Sequence, residues 1–347
     1  MLSVVICTCR RAESLRRTLQ SLAECQRPEG LAWELVVVDN APTGEVERLV
    51  GKFAPALPVR CVAEPEPGLC NARNRGVAES RGEVVWFIDD DVRVDPGWLR
   101  AVCDATAAHP EVAFFAGRIL PDWCGASLPP WLDVAAGGLG DFGGMYLHYE
   151  PDVKTRLLQA TERAYGANMG FRRDVFSKVG GFRSDLGVLP GKRRLGEDTE
   201  FCERLVTAGL AGVYVAPALV HHVTPASRLT VRYALAWAFA HGRDVARICA
   251  IRRERQGRNT WPRRARDIAK HTVFLIGNLV LAATAGWFLD RRRRVGAWFR
   301  LIQRVGMIFG VFGHKPALVA DWPACLTAPV SPGCSADCVQ DTPEGGR

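Results

Sequence analysis

A chain of 347 residues that is 48% hydrophobic has enough apolar material for one large domain with an appendage, or for two modest domains. The same composition excludes a disordered or collagen-like chain. Its formal charge of +8 is concentrated in residues 247–315, which carry 16 Lys/Arg and 3 Asp/Glu, so the rest of the chain is near −5; a basic tail on an acidic body points away from nucleic acid and towards an anionic surface.

In chain order, residues 2–7 are short and β-branched. They read as a first strand rather than a secretory leader, because no basic segment precedes them. Thr8-Cys9-Arg10-Arg11 then turns into a helix whose buried face is Leu15, Leu19 and Leu22. A second buried strand over 33–38 ends in Asp39-Asn40. A helix over 45–53, a strand over 58–62 and a helix over 68–79 follow, the last with Ala72, Gly76 and Ala78 small enough for close packing. Val84 to Ile88 are five large apolar residues in a row, the mark of a strand buried on both faces, and Asp89, Asp90 and Asp91 come directly after it. A helix over 96–108, capped by Asp95 with Pro96 at its first position, and a strand over 112–116 complete the alternation. This rhythm predicts an α/β fold with a doubly wound, mixed but mostly parallel sheet.

After Gly117 the rhythm breaks. Within a Gly-, Pro- and Trp-rich stretch, residues 138–143 match GxGxxG, but they neither follow a strand nor open a helix, so a flexible substrate loop is expected there. A strand over 167–171, a short helix over 173–179, a helix opening at Gly196-Glu197-Asp198 and two short strands over 213–215 and 219–222 follow. From Leu229 a long helix runs towards Ile251 and becomes basic up to Lys270. The 17 mostly apolar residues 273–289 span about 25 Å as a helix, short of a hydrocarbon core of about 30 Å. Basic residues flank both ends, which favours a re-entrant or interfacial arrangement over a single span. Trp298, Leu301, Ile302, Val305, Ile308, Phe309 and Phe312, with Arg300 and Arg304 between them, suggest a second amphipathic segment. A helical subdomain that simply packs as core is the alternative. Three regions are therefore expected: residues 1–228, a helical, basic, membrane-associating region over 229–314, and a disordered tail over 315–347. The 12 cysteines lack any CxxC pair or framework spacing, which suits a reducing cytosol.

In open α/β sheets, ligands bind beyond the carboxyl ends of the strands, and Asp39 and Asp89 to Asp91 end two of them. Adjacent carboxylates repel one another, and a divalent cation relieves that repulsion; a solvated acidic turn is the other reading. Gly68 to Gly76 sets Asn71, Arg73 and Asn74 near a helix start, where guanidinium and free N–H groups suit phosphate, or where Arg73 is a surface charge. Asp198 is either a helix cap or a base.

Together the ordered motifs Val-Val-Ile-Cys-Thr, Val-Val-Val-Asp-Asn, Gly-Leu-Cys-Asn-Ala-Arg-Asn-Arg-Gly, Phe-Ile-Asp-Asp-Asp, Gly-Ala-Asn-Met-Gly-Phe-Arg-Arg and Gly-Glu-Asp-Thr-Glu-Phe resemble family 2 glycosyltransferases, inverting enzymes of the GT-A fold, over about residues 1–245. The resemblance implies a nucleotide-sugar donor, a glycan or lipid-linked acceptor and a Mn²⁺ or Mg²⁺ ion, while the basic C-terminal region and the cysteines place the chain on the cytoplasmic face of the cell membrane. It implies that Thr8 and Asp39 line the nucleotide pocket, with Asp39 on the base. Asp89 and Asp91 would be the outer members of a DxD motif, Asp89 towards the ribose and Asp91 on the metal, with Asp90 between them in the donor pocket. Arg73 would lie near the pyrophosphate. Asp198 would be the catalytic base and Glu197 would place the acceptor or the base. His221 would stand near the metal, with His222 as its rival. The chain departs from the pattern at Cys9-Arg10 and at Ala41-Pro42-Thr43-Gly44, both in the nucleotide pocket. A membrane-associated nucleotidyltransferase and a non-catalytic scaffold are the competing readings.

Overall fold

The computed structural model describes residues 1–132, 139–189, 194–258, 260–288 and 291–312. In chain order these form β1 (Leu2–Thr8), α1 (Ala12–Ala23), β2 (Trp33–Asp39), α2 (Glu45–Phe53), β3 (Val59–Ala63), α3 (Leu69–Glu79), β4 (Val84–Asp89), β5 (Val92–Val94) and α4 (Trp98–Ala108). Then come β6 (Phe114–Asp122), β7 (Arg156–Leu157), β8 (Asn168–Arg172), α5 (Val175–Val179), α6 (Glu197–Thr207) and β9 (Gly212–Val223). Three long helices close the described chain: α7 (Val231–Arg255), α8 (Trp261–Phe288) and α9 (Arg291–Phe312). The strands make one sheet in the order β3-β2-β1-β4-β8-β6-β9-β5, with β7 on β9. β3, β2, β1 and β4 run parallel, β8 lies antiparallel between β4 and β6, and β9 is parallel to β6 and antiparallel to β5.

Alternation along the central strands decides the layers, because successive side chains in a strand point to opposite faces. Val4, Ile6, Val37, Trp86 and Ile88 join one core, where Leu15 and Leu19 of α1 and Trp98 and Val102 of α4 cover them. Val5, Val36, Val38, Val85 and Phe87 join the other, under Val77 of α3, Phe176 of α5 and Phe201 of α6. A strand without a polar face needs a cover on both sides, and the alternating helices supply it. A Cβ at Gly76 would collide with the Val5 side chain, so α3 lies directly on β1 because that position is glycine.

Two expectations change in detail. The strands read over 213–215 and 219–222 are one strand, β9, whose register on β6 shifts at Gly117/Arg118 to accommodate Ala216-Pro217-Ala218. Around the GxGxxG match, Gly138 lies outside the described residues, while Gly140–Tyr146 forms a 3₁₀ helix with Phe142, Met145 and Tyr146 buried. Those side chains, with Trp131, build a third core against Trp237 of α7 and Phe299 of α9, so this stretch is packed rather than a loose loop.

α7 and α9 touch backbone to backbone. A Cβ at Gly242, Gly306 or Gly310 would collide with the carbonyls of Gln303, Phe239 and Arg243 respectively. α9 is therefore two-sided, burying Phe299 and Leu301 while exposing Trp298, Phe309 and Phe312. α8 exposes Val273, Phe274, Ile276, Leu279 and Val280. Among the described residues, α9 is the one helix long and apolar enough to cross a membrane, and 44% of its apolar window is buried. The tail over 315–347 lies outside the described residues.

Candidate active site

Parallel register gathers the strand ends at one rim: Thr8 stands beside Asp39, and Cys7 beside Asp89. Thr8 Oγ1 donates to Asp90 Oδ2 at 2.6 Å. The Arg11 guanidinium forks across the acidic turn, reaching Asp90 Oδ1 and Asp91 Oδ2 at 2.7 Å each. Asp39 is buried and folds its carboxylate back to accept from Ala41 N. Asn40 ties the next turn by accepting from Gly68 N and donating to the carbonyls of Glu64 and Glu66.

Three crowded carboxylates do not ionise alike. Burial, with the charges of Asp91 and Asp90, pushes Asp89 up to about 7 against the pull of Arg73. Burial likewise holds Asp90 at about 6 despite Arg11 and Thr8. Asp91 goes the other way: burial opposes its charge, but His222 and Arg11 outweigh it and keep the carboxyl below its ordinary range.

β5 returns along β9 and pairs Val92 with His222 and Arg93 with His221. Neighbouring strand residues face opposite sides of the sheet, so only one imidazole reaches the acidic rim. It is His222, buried, with Nε2 at 3.4 Å from Asp91 Oδ1. The structure thus sets His222, the rival, and not His221, beside Asp91. His221 is half-buried, and burial together with nearby Arg93 lowers its pKa. Donor atoms of Asp89, Asp91 and His222 lie within 4.8 Å of one another. Two carboxylates and an imidazole fit a first-row divalent cation, with the nitrogen ligand suiting Mn²⁺ better than Mg²⁺.

Arg73 was expected near a pyrophosphate, and the structure sets it beneath the rim. Its side chain is 3% exposed and lies 2.8 Å from Glu197 Oε1 and 3.8 Å from Asp89 Oδ1. Gly166 makes room for it, since a Cβ there would collide with the guanidinium. Glu197 is buried, and burial and the adjacent Asp198 raise its pKa against the pull of Arg73. Asp198, at the second position of α6, accepts from Gly166 N at 3.1 Å and from Thr199 N at 2.6 Å. Left-handed Gly196, with φ +92°, gives α6 its starting direction. Asp91 also lines a cavity of ≈ 500 Å³, together with Arg11, Arg17, Trp123, Pro225 and Arg228 among others.

The family description Glycosyl transferase family 2 matches residues 3–180, a little over half of the chain. The chain belongs to this family. A glucosyl-dolichyl phosphate glucuronosyltransferase of Haloferax volcanii is 30% identical over 233 residues, covering 63% of this chain and 68% of that protein. The succinoglycan biosynthesis protein ExoM of Rhizobium meliloti is 28% identical over 253 residues, covering 72% and 75% respectively. Mannosyltransferase PcManGT from Pyrobaculum calidifontis, solved with GDP-Man and Mn²⁺, superposes with a TM-score of 0.58 at 18% identity, covering 90% of this chain and 88% of that one. That likeness supports the fold: this glycosyltransferase has the mixed, mostly parallel GT-A architecture.

Arg11 and Arg228 of this glycosyltransferase belong to no motif that marks them in the sequence. Both are basic residues just beyond a strand end, three residues after Thr8 and five after Val223. That position was the available signal, because the rim is acidic and a cation placed there finds it. Arg228 lies 3.9 Å from Asp91 Oδ2. Asn168 was also missed. It accepts from the indole N–H groups of Trp86 and Trp98 and donates to the carbonyls of Arg118 and Ala218, locking β8 under the rim.

Proposed function

We propose that this glycosyltransferase is inverting and metal-dependent, moving a sugar from a nucleoside-diphosphate sugar to a hydroxyl of a glycan or lipid-linked acceptor at the cytoplasmic face of the cell membrane. The observation that carries the reading is Arg73. One buried guanidinium spans Asp89 on the rim and Glu197 beside Asp198, so the acidic turn and the α6 start belong to one site.

Asp89, Asp91 and His222 would hold Mn²⁺ or Mg²⁺. When bound, that cation offsets the negative charge developing on the leaving diphosphate. Thr8 and Asp39 line the nucleotide pocket, and Asp90, fixed by Thr8 and Arg11, shapes its edge. Arg11, Arg17 and Arg228 beside the cavity suit an anionic group, because guanidinium forks pair with phosphate oxygens. An acceptor hydroxyl is a weak nucleophile until a base takes its proton. Asp198 takes it as the acceptor oxygen bonds to the anomeric carbon and the bond to the diphosphate breaks. Attack from the face opposite the leaving group inverts that carbon. Backbone N–H groups of Gly166 and Thr199 aim the Asp198 carboxylate, and Glu197, clamped by Arg73, holds the first turn of α6 in place.

The acceptor class rests on relatives whose names refer to a glucosyl-dolichyl phosphate and to succinoglycan. The membrane reading rests on the exposed apolar residues of α8 and α9 beside Arg263, Arg264, Arg266, Lys270 and Arg291 to Arg294. A surface that joins apolar area with many cations suits an anionic lipid interface. Residues 1–228 form the catalytic region in this account and 229–314 the membrane-associating one.

Asp198→Asn is the test. It should abolish transfer while leaving the Mn²⁺-dependent thermal shift produced by nucleotide sugars intact, whereas Asp91→Ala should lose that shift. Near-normal turnover by Asp198→Asn would overturn the base assignment.

A further inference from the structure

α7 has a second face besides the one that packs on α9. Asp244, Arg247, Ile248, Arg252 and Arg255 recur at helical spacing and lie along one side of it. That side meets α6 and the segment entering it. Asp244 Oδ2 accepts from Leu195 N at 2.9 Å, and Arg247 reaches Asp185 Oδ2 at 2.8 Å. Ile248 fills the space where a Gly196 Cβ would stand, while Arg252 and Arg255 pair with Glu203 and Glu200 of α6. Asp244 is 2% exposed, and its carboxylate is also bound by Arg243 at 2.8 and 2.9 Å. A buried carboxylate held this way is a fixed acceptor, because moving it would strand a charge.

Leu195 and left-handed Gly196 are the two residues before Glu197 and Asp198. The hydrogen bond to Asp244 pins the first, and the contact with Ile248 limits the second. We propose that Asp244 is a positioning residue for glycosyl transfer: it fixes the Leu195–Gly196 turn that launches Asp198, so α7 is part of the catalytic framework as well as a support for α8 and α9. The inference rests on the assignment of Asp198 as base. A small displacement of a reacting group is expensive in rate, whereas the strand-end residues that meet the donor are untouched by it.

The test uses full-length Asp244→Ala and Asp244→Asn, since the Asn carbonyl oxygen still accepts from Leu195 N–H. Amide exchange across residues 194–199 should quicken by about tenfold in Asp244→Ala, with β1 and β4 unchanged. Its kcat, measured as nucleoside diphosphate release from whichever of UDP-glucose, UDP-glucuronate or GDP-mannose is turned over, should fall roughly ten- to hundredfold while KM for that donor stays within about twofold. Asp244→Asn should recover most of kcat. Should Asp244→Ala fail to fold, Gly196→Ala disturbs the same turn from the loop side and should give the same kcat loss at unchanged KM. Wild-type kcat in Asp244→Ala, or equal losses in both Asp244 variants with exchange rising throughout the sheet, overturns the positioning role. Asp198→Asn run in parallel separates the failures: normal turnover there sinks the base assignment and the positioning role that depends on it, whereas an inactive Asp198→Asn beside a fully active Asp244→Ala sinks the positioning role alone.

Discussion

Replacing Arg73 with Met tests the buried charge pair that joins the two halves of the site. Methionine keeps much of the side chain's length and apolar bulk but removes the charge. The Arg73 and Glu197 side chains are 3% and 9% exposed, so water screens the pair little and the small values measured for surface pairs do not apply. Removing one partner of such a pair costs about 3–5 kcal/mol, because the other charge stays buried and uncompensated. Asp89 is farther, at 3.8 Å, and 29% exposed, so its loss adds no more than about 1 kcal/mol. Set against a typical stability of about 5–15 kcal/mol, the variant should fold but unfold at clearly lower urea. The deficit has a pH signature. Burial and Asp198 already raise the Glu197 pKa, and loss of Arg73 raises it further. A carboxyl raised in the folded state binds its proton more tightly there than in the unfolded chain. Its stabilisation is present below the unfolded value near 4.5 and is lost as pH climbs through the folded value. The Arg73→Met deficit should therefore be smaller at pH 5 than at pH 7.5, and adding Glu197→Gln should recover most of it. Urea midpoints at the two pH values measure this. A cost under about 1 kcal/mol at pH 7.5, or a pH-independent deficit that Glu197→Gln leaves untouched, would refute the buried pair.

Further outcomes follow from the rim and the helices. Asp89, raised to about 7 by burial, has to give up its proton to bind a cation, so Mn²⁺ affinity by calorimetry should rise with pH up to about 7 and then level off. A flat profile would contradict that. In the same titration His222→Ala should weaken Mn²⁺ at least about tenfold while His221→Ala changes little, and the reverse order would restore His221. On α8, Ile276→Glu with Leu279→Glu should abolish sedimentation with phosphatidylglycerol vesicles, since each apolar side chain buried contributes about 1.5–3 kcal/mol. Unchanged sedimentation would remove the membrane role.

The sheet was legible because its signal is local: uninterrupted Val/Ile runs mark strands covered on both faces, and short helical patterns between them impose the parallel order. β5 escaped notice because three residues following an acidic turn carry no periodicity, and yet β5 decides which histidine faces the acidic rim. From sequence alone the parity of His221 and His222 is open; pairing with Val92 and Arg93 resolves it. Arg73 stood out within its motif, but not as a buried bridge. That depends on Gly166 and Glu197, which are distant in sequence and meet only after folding. The packing of residues 140–146 was hidden for the same reason, since Phe142 and Tyr146 have no partners until α7 and α9 are in place.

Inverting transfer requires the acceptor oxygen to arrive opposite the diphosphate, with Asp198 taking its proton. The most direct measurement is the anomeric configuration of the product, read from the ¹H coupling of its new glycosidic proton. An α-linked donor should give a β-linked product throughout the time course. An α-linked product would contradict the account, whatever the fate of the individual variants.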